Sequence, residues 1–274
     1  MSESIVGYQG EVGAYSEEGV LTLFPHSQHL PLATVRKVFE TIEVGRADYG
    51  LVPLDNSQAG SINETYDLLL KHGLHLVGET VVRVDHCLIA LPGTPLDELR
   101  EVVSHPQAVA QSEEFLNALG VSIRAEYDTA GAARRIVDEK LEGTAAIASR
   151  RAAELYGLEV LAERIQNYPD NHTRFGALSR DPHPLNEPDK SSLVFGVGHV
   201  AGSLYRCLGA FAERHLNLSK LESRPRAGRP WEYVFYADVE VPADAPEMVA
   251  ALAEVSEHST FTRLLGTYAS ALSR

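Results

Sequence analysis

At 274 residues and 44% hydrophobic content, the chain is longer than one compact domain usually runs and can bury more than one core. Its formal net charge of −14 disfavours nucleic acid as a partner, and two cysteines, Cys87 and Cys207, offer neither a disulfide framework nor metal-ligand spacing. The N-terminal Met1-Ser2-Glu3-Ser4 carries no basic cluster ahead of an apolar run, and nothing approaches ~18 uninterrupted apolar residues, so a cytoplasmic protein without a membrane segment is expected.

Ile5–Tyr8 predicts a first buried strand, running into the glycine-rich turn Gly7-Tyr8-Gln9-Gly10-Glu11-Val12-Gly13-Ala14-Tyr15-Ser16. Gly10 and Gly13 suit a close backbone approach to a ligand, and Tyr15-Ser16 suits a helix cap. Further strands are expected at Gly50–Pro53, Val102–Ser104 and Ala145–Ala148, with helices over Glu64–Lys71, Ala108–Leu119 and Arg151–Tyr156. This alternation over residues 5–180 predicts an α/β domain with largely parallel strands. Ligands of such sheets sit at the carboxyl ends of strands, where Gln9-Gly10, Asn56-Ser57, Ser104-His105-Pro106-Gln107 and Ser149 fall. His75–Val84 reads as one long extended strand rather than a βα unit.

Asp181–Lys190 holds three prolines and no apolar periodicity, which predicts a linker. Beyond it the pattern reads strand (Ser192–Val197), helix (Ser203–His215), strand (Leu216–Ser223), strand (Trp231–Val241), helix (Pro246–His258), strand (Phe261–Tyr268). The glycines of Gly196-Val197-Gly198-His199-Val200-Ala201-Gly202 imitate a dinucleotide fingerprint, with Glu222 downstream, but their spacing and the length that follows do not suit one. The pairs His26/His29 and His72/His75 lack a third ligand, and no G-x-S-x-G supports nucleophilic catalysis. Arg224, Arg226 and Arg229 suit an anion, though a solvated loop is the better reading.

Several strings, in order, resemble the prephenate dehydratase family: the opening glycine turn, Val52-Pro53-Leu54-Asp55-Asn56-Ser57, Asp85-His86-Cys87, Ser104-His105-Pro106-Gln107-Ala108, Asp128-Thr129-Ala130-Gly131-Ala132-Ala133, Ala145-Ala146-Ile147-Ala148-Ser149, Asn171-His172-Thr173-Arg174-Phe175 and Leu221-Glu222-Ser223-Arg224-Pro225. The resemblance implies two α/β lobes like a periplasmic binding protein over residues 1–180, with crossovers near 75–91 and 165–175. It implies a linker at 181–190 and a βαββαβ, ferredoxin-like ACT regulatory domain at 191–274. The implied activity is decarboxylative dehydration of prephenate to phenylpyruvate, without cofactor or metal, with phenylalanine as effector and assembly as a homodimer or homotetramer. Arogenate is the alternative substrate, and a non-catalytic amino-acid sensor the rival of another class.

The same resemblance assigns roles. Thr173 is the expected hydrogen-bond donor to the departing hydroxyl, with Asn56, Gln107 and Ser104 beside it in the catalytic set. Arg174, Ser57, Phe175, Ser149 and Gly10 are expected to hold substrate. As bare residue types, Ser57 and Ser104 equally suit turns and caps, Thr173 equally fills a strand, and Arg174 equally suits a salt bridge. Effector binding is expected at Gly202, Ser203 and Leu204, with Asn217, Leu218, Ser219, Glu222, Ser223 and Arg224. Ser203 and Tyr205 replace residues commonly found in the family's effector site.

Overall fold

The computed structural model describes residues 3–226 and 232–271, so Arg229 and Trp231 lie outside the described residues. The chain packs as two compact units: Met1–Thr65 with Thr80–Phe175, and Tyr66–Glu79 with Gly176–Arg274. No helix among the described residues is long and apolar enough to cross a membrane.

The first unit contains two sheets, one per lobe. In the first lobe, β1 (Ile5–Gln9) leads through α1 (Tyr15–Leu23) to β2 (Gln28–Leu32), then through α2 (Val35–Glu43) to β3 (Tyr49–Asn56). Strand β1 pairs in parallel with both β2 and β3, and a short β4 (Gly60–Ser61) turns back on β3. Helix α3 (Asn63–Lys71) and strand β5 (His75–Arg83) follow, and the division between units falls inside both.

The second lobe runs β6 (Cys87–Ala90), a 3₁₀ turn (Leu96–Glu98), β7 (Glu101–Ser104), α4 (Pro106–Gln111), α5 (Glu113–Leu119), β8 (Ser122–Ala125), α6 (Thr129–Glu139), β9 (Thr144–Ala148), α7 (Arg150–Tyr156) and β10 (Glu159–Ala162). Its strand order is β10-β6-β9-β7-β8. Both faces are buried: Ile89, Val103, Ala146 and Ala148 pack on one side, Leu88, Val102, Ala145 and Ile147 on the other. That is why these strands read as continuous apolar runs. The chain then returns in β11 (His172–Ser179), which lies beside β3.

The helix expected over Ala108–Leu119 is two. Ser112 leaves helical geometry at φ −119°, ψ 19°, closing α4 and opening α5. The expected Tyr15-Ser16 cap is also corrected. Ala14 is the N-cap of α1 without a side-chain bond, and the Ser16 hydroxyl donates to the Gln9 carbonyl instead.

The second unit holds β12 (Lys190–Val197), α8 (Ser203–Ala212), β13 (Leu218–Pro225), β14 (Tyr233–Val239), α9 (Pro246–His258) and β15 (Ser259–Tyr268) in βαββαβ order. The sheet order is β13-β14-β12-β15, antiparallel between neighbours, with α8 and α9 burying Cys207, Phe211, Met248 and Val255 against it. Strand β15 also meets the Leu76 end of β5, so closely that a Cβ on Gly266 would lie 1.9 Å from the Leu76 carbonyl oxygen. The expected linker ends one residue early. Lys190 opens β12 and is buried, its Nζ 3.1 Å from both Glu79 carboxylate oxygens and 3.5 Å from Asp238. Burying a lysine requires such partners.

Arg263 closes the C-terminal end of α3. Its two Nη groups donate to the carbonyls of Leu69 (3.0 Å), Leu70 (3.4 Å), His72 (2.9 Å) and Leu74 (3.1 Å). Helix ends leave such carbonyls without intrahelical donors, and one guanidinium supplies several. Burial lowers its pKa from the usual arginine value.

Candidate active site

A cavity of about 360 Å³ opens within the first unit. Its walls include the first turns of α1 (Ala14–Ser16), α2 (Thr34, Val35) and α6 (Asp128, Thr129), the α4 segment with His105, Gln107 and Gln111, and Thr173 and Phe175 of β11. Among the described residues no lysine or arginine lines it, while Glu64 and Asp128 do. Three helix N-termini on one cavity present partial positive charge and backbone N–H groups, which suits a carboxylate in a chain whose net charge opposes anions.

At the centre, Asn56 at the end of β3 is held by main chain on both sides of its amide. Its Oδ1 accepts from the N–H of Gln58 (3.1 Å) and Ala59 (2.9 Å). Its Nδ2 donates to the His172 carbonyl (3.2 Å), to Asn171 Oδ1 (2.8 Å) and to Thr173 Oγ1 (3.1 Å). Thr173 therefore accepts from Asn56, which leaves its own O–H proton for donation elsewhere.

A second tier backs this pair. Gln111 donates from Nε2 to Asn56 Oδ1 (3.3 Å) and accepts at Oε1 from Asn171 Nδ2 (3.0 Å), with His86 Nε2 at 2.9 Å from the same oxygen. His86 Nδ1 lies 3.1 Å from the Tyr15 hydroxyl oxygen, whose single proton faces the Asp85 carbonyl at 2.8 Å as well. Desolvation by burial lowers the His86 pKa and raises that of Tyr15, keeping both neutral. His105 is likewise lowered by burial, and its Nδ1 accepts from the Gln107 N–H at 3.2 Å. Burial raises the Asp128 pKa, opposed by hydrogen bonds from the N–H groups of Gly131 and Glu11.

The first-lobe turn is fastened across to the second lobe. Glu11 accepts from the Tyr127 hydroxyl (2.7 Å) and from Arg134 (2.9 Å), and the Val12 carbonyl accepts from the Tyr156 hydroxyl (2.8 Å). Gly10, at φ +116°, is tightly enclosed: a Cβ there would lie 3.0 Å from Asp128 Oδ2 and Ala14 Cβ. Glycine is required there for both reasons.

Of the expected site residues, Asn56, Gln107, Thr173 and Phe175 line the cavity together. The others do not, and each has a structural task. Ser104 is fully buried with its hydroxyl donated to the Ile147 carbonyl (2.7 Å), tying β7 to β9. Ser149 caps α7 by accepting from the Ala152 N–H (3.0 Å) and donates to the Gly13 carbonyl (2.8 Å). Ser57 donates to the Asp170 carbonyl (3.1 Å) and accepts from the His172 N–H (3.0 Å). Gly10 shapes the turn. Arg174 pairs with Asp55 on the neighbouring strand. His86, Gln111, Tyr15 and Asp128 complete the polar wall, with Asn171 fully buried behind it; sequence reasoning gave Tyr15 only a cap and the others no role, and Asp85-His86-Cys87 and Asp128-Thr129 stood out only as strings.

In the second unit, Gly202, Ser203 and Leu204 line a hollow of about 450 Å³ formed by residues 197–205. Asn217, Leu218, Ser219, Glu222, Ser223 and Arg224 are not part of it. Asn217 donates to Glu240 Oε2 at 2.9 Å, and Arg224 reaches Asp67 at 3.2 Å. Tyr205 is 79% exposed at the hollow's edge.

Comparison with known proteins matches residues 6–183 to the family model described as prephenate dehydratase. Arogenate dehydratase 5, chloroplastic, of Arabidopsis thaliana is 44% identical over 283 residues, covering 96% of this chain and 67% of the relative, so the chain spans about two thirds of that protein. The solved prephenate dehydratase of Arthrobacter aurescens in complex with L-Phe is 30% identical with a TM-score of 0.89, covering 97% of this chain and 90% of that one. A structure described as "GqqA, a novel type of quorum quenching acylases" is 36% identical with a TM-score of 0.87, covering 97% and 98%. With its sequence, its two-lobed cavity and its fold all in agreement, the chain belongs to the prephenate dehydratase family.

Proposed function

We propose that the chain converts prephenate to phenylpyruvate for L-phenylalanine biosynthesis. The observation that supports this reading is the Asn56 amide donating to Thr173 Oγ1 at the cavity wall, which leaves the one hydroxyl proton available to a ligand. In the reaction the ring carboxylate leaves as CO2, its bonding pair enters the ring, and the C4–O bond breaks. The departing hydroxide takes up one proton to become water. Thr173 is too weak an acid at neutral pH to supply that proton outright, so it stabilises the developing charge by hydrogen bonding while solvent delivers the proton. The helix N-termini hold the carboxylates, and Phe175 packs on the cavity wall where the ring would lie.

Arogenate is the second reading. A cavity lined by Glu64 and Asp128 and, among the described residues, by no lysine or arginine suits an ammonium group better than a second anionic end. Measuring phenylpyruvate formed from prephenate and phenylalanine formed from arogenate decides between them. Turnover of neither, with hydrolysis of an N-acyl amide instead, would replace the dehydratase reading.

The βαββαβ unit supports a regulatory ACT reading, with phenylalanine bound at the Gly202–Leu204 helix start and the protein assembled as a homodimer or homotetramer. Calorimetric titration with phenylalanine and light scattering test these points. Gly202→Leu should blunt both the heat and the inhibition, and no heat from the parent protein would remove phenylalanine as effector.

A further inference from the structure

Resting on the dehydratase reading, we propose that His86 is a positioning residue: through Gln111 it fixes the polarity of the Asn56 amide and so holds Thr173 as a donor toward the leaving group.

The direction of each bond follows from groups that cannot reverse. Two backbone N–H groups face Asn56 Oδ1, and one backbone carbonyl faces Asn56 Nδ2. Whatever meets Oδ1 from the second lobe must donate, so Gln111 turns Nε2 to it and Oε1 away. That oxygen then needs donors, and it has Asn171 Nδ2 and His86 Nε2. The 2.9 Å contact with Gln111 Oε1 calls for the imidazole tautomer protonated on Nε2, and the one proton of the Tyr15 hydroxyl is then shared between His86 Nδ1 at 3.1 Å and the Asp85 carbonyl at 2.8 Å. The His86 ring is buried at 2% exposure, and its backbone N–H is held by Gln166 Oε1 at 3.0 Å. Burial leaves the ring little solvent with which to exchange partners.

If the group at position 86 cannot donate, Gln111 has one reason fewer to keep its amide nitrogen toward Asn56. The flipped amide would set two oxygens against each other, moving Asn56 off Thr173. The error would appear in the transition state, where the Thr173 bond strengthens, more than in ground-state binding.

His86→Leu and the near-isosteric Gln111→Glu should lower kcat by at least ~10-fold with KM within about two-fold, since small misplacements at a reacting centre act mainly on kcat. His86→Gln, whose amide nitrogen can take the Nε2 position, should recover most of the loss. Gln111→Glu should regain activity as pH falls, because a protonated carboxyl can again donate to Asn56 while the parent gains nothing. Unchanged kcat in both His86→Leu and Gln111→Glu, or equal losses in His86→Leu and His86→Gln, would overturn the proposal. A measurement independent of turnover is ¹⁵N NMR of the parent imidazoles. His86 should show the neutral Nε2–H tautomer, persisting below the pH where exposed histidines titrate. An Nδ1–H tautomer or ordinary titration would overturn the proposal even if the protein turned over both substrates. Inactivity on both with the expected tautomer would sink the dehydratase reading and leave the hydrogen-bond chain established.

Discussion

Arg174 and Asp55 form a charged pair across adjacent strands, with Arg174 Nε donating to Asp55 Oδ2 at 2.9 Å and an Nη group reaching the same oxygen. The guanidinium is only 11% exposed and does not line the cavity beside its neighbour Thr173. Strand geometry explains this, since successive side chains point to opposite faces. Arg174→Leu is expected to reduce stability by about 1–3 kcal/mol, below the range for fully buried pairs because Asp55 keeps some solvent. KM should stay unchanged. Adding Asp55→Leu should destabilise by less than the sum of the two single changes, measured by urea unfolding. A raised KM with no loss of stability would return Arg174 to the substrate.

Thr173→Val should lower kcat by ~10²-fold, the effect of removing one donor aimed at developing charge. Thr173→Ser should keep much of the activity, because Asn56 can still donate to the hydroxyl. Turnover near the parent value in the valine variant would reduce Thr173 to packing.

Glu18 offers a pH-dependent test of stability. Burial pushes its carboxyl from 4.5 up to about 7, against the opposing pull of Arg151 and a Ser149 hydrogen bond. A group whose folded-state pKa is raised contributes stability below its unfolded value and loses it as pH rises through the folded value. Glu18→Gln should therefore gain stability over the parent progressively between 4.5 and about 7, level off above that window, and gain nothing below it. His75, His86 and His105 are lowered by burial, so their contribution has the opposite course: it is lost as pH falls below the ordinary histidine value. They are common to both proteins and cancel in the difference. A Glu18→Gln difference constant with pH would show that the carboxyl titrates alike in both states.

Arg263→Leu should destabilise by about 2–4 kcal/mol, because four carbonyl oxygens at the end of α3 lose a charged donor. Arg263→Lys should lose less, since an ammonium can still satisfy some of them. Hydrogen exchange localised to α3 would identify the mechanism, and uniform loss of protection would argue against it.

In the first unit, the doubly buried strands β1, β3, β7 and β9 were legible in sequence, as were β5 and the strands beyond the linker. Of those that went unread, β2, β8 and β10 lie at the ends of their sheet orders, while β4 is only two residues long and β6 is an inner strand. Edge position explains the first three, as Gln28-His29-Leu30-Pro31-Leu32 and Ser122-Ile123-Arg124-Ala125 carry polar or proline residues that a central strand would reject. The site was half legible for a related reason. A serine at a strand end has the same local sequence whether its hydroxyl meets a ligand or a neighbouring carbonyl, and Ser104 and Ser149 took the second course. Gln111 gives no signal at all, because its partners Asn56 and Asn171 are more than fifty positions away in each direction.

The placement of Tyr66–Glu79 bears on how the protein is made. Arg263 lies 194 positions after the Leu69 carbonyl that it caps, and β15 is the last element among the described residues. During synthesis, α3 and the start of β5 leave the ribosome long before their partners exist, with Leu68, Leu69, Leu74 and Leu76 still unburied. Folding of this segment is therefore expected to wait until β15 has emerged, leaving its leucines open to aggregation in the meantime.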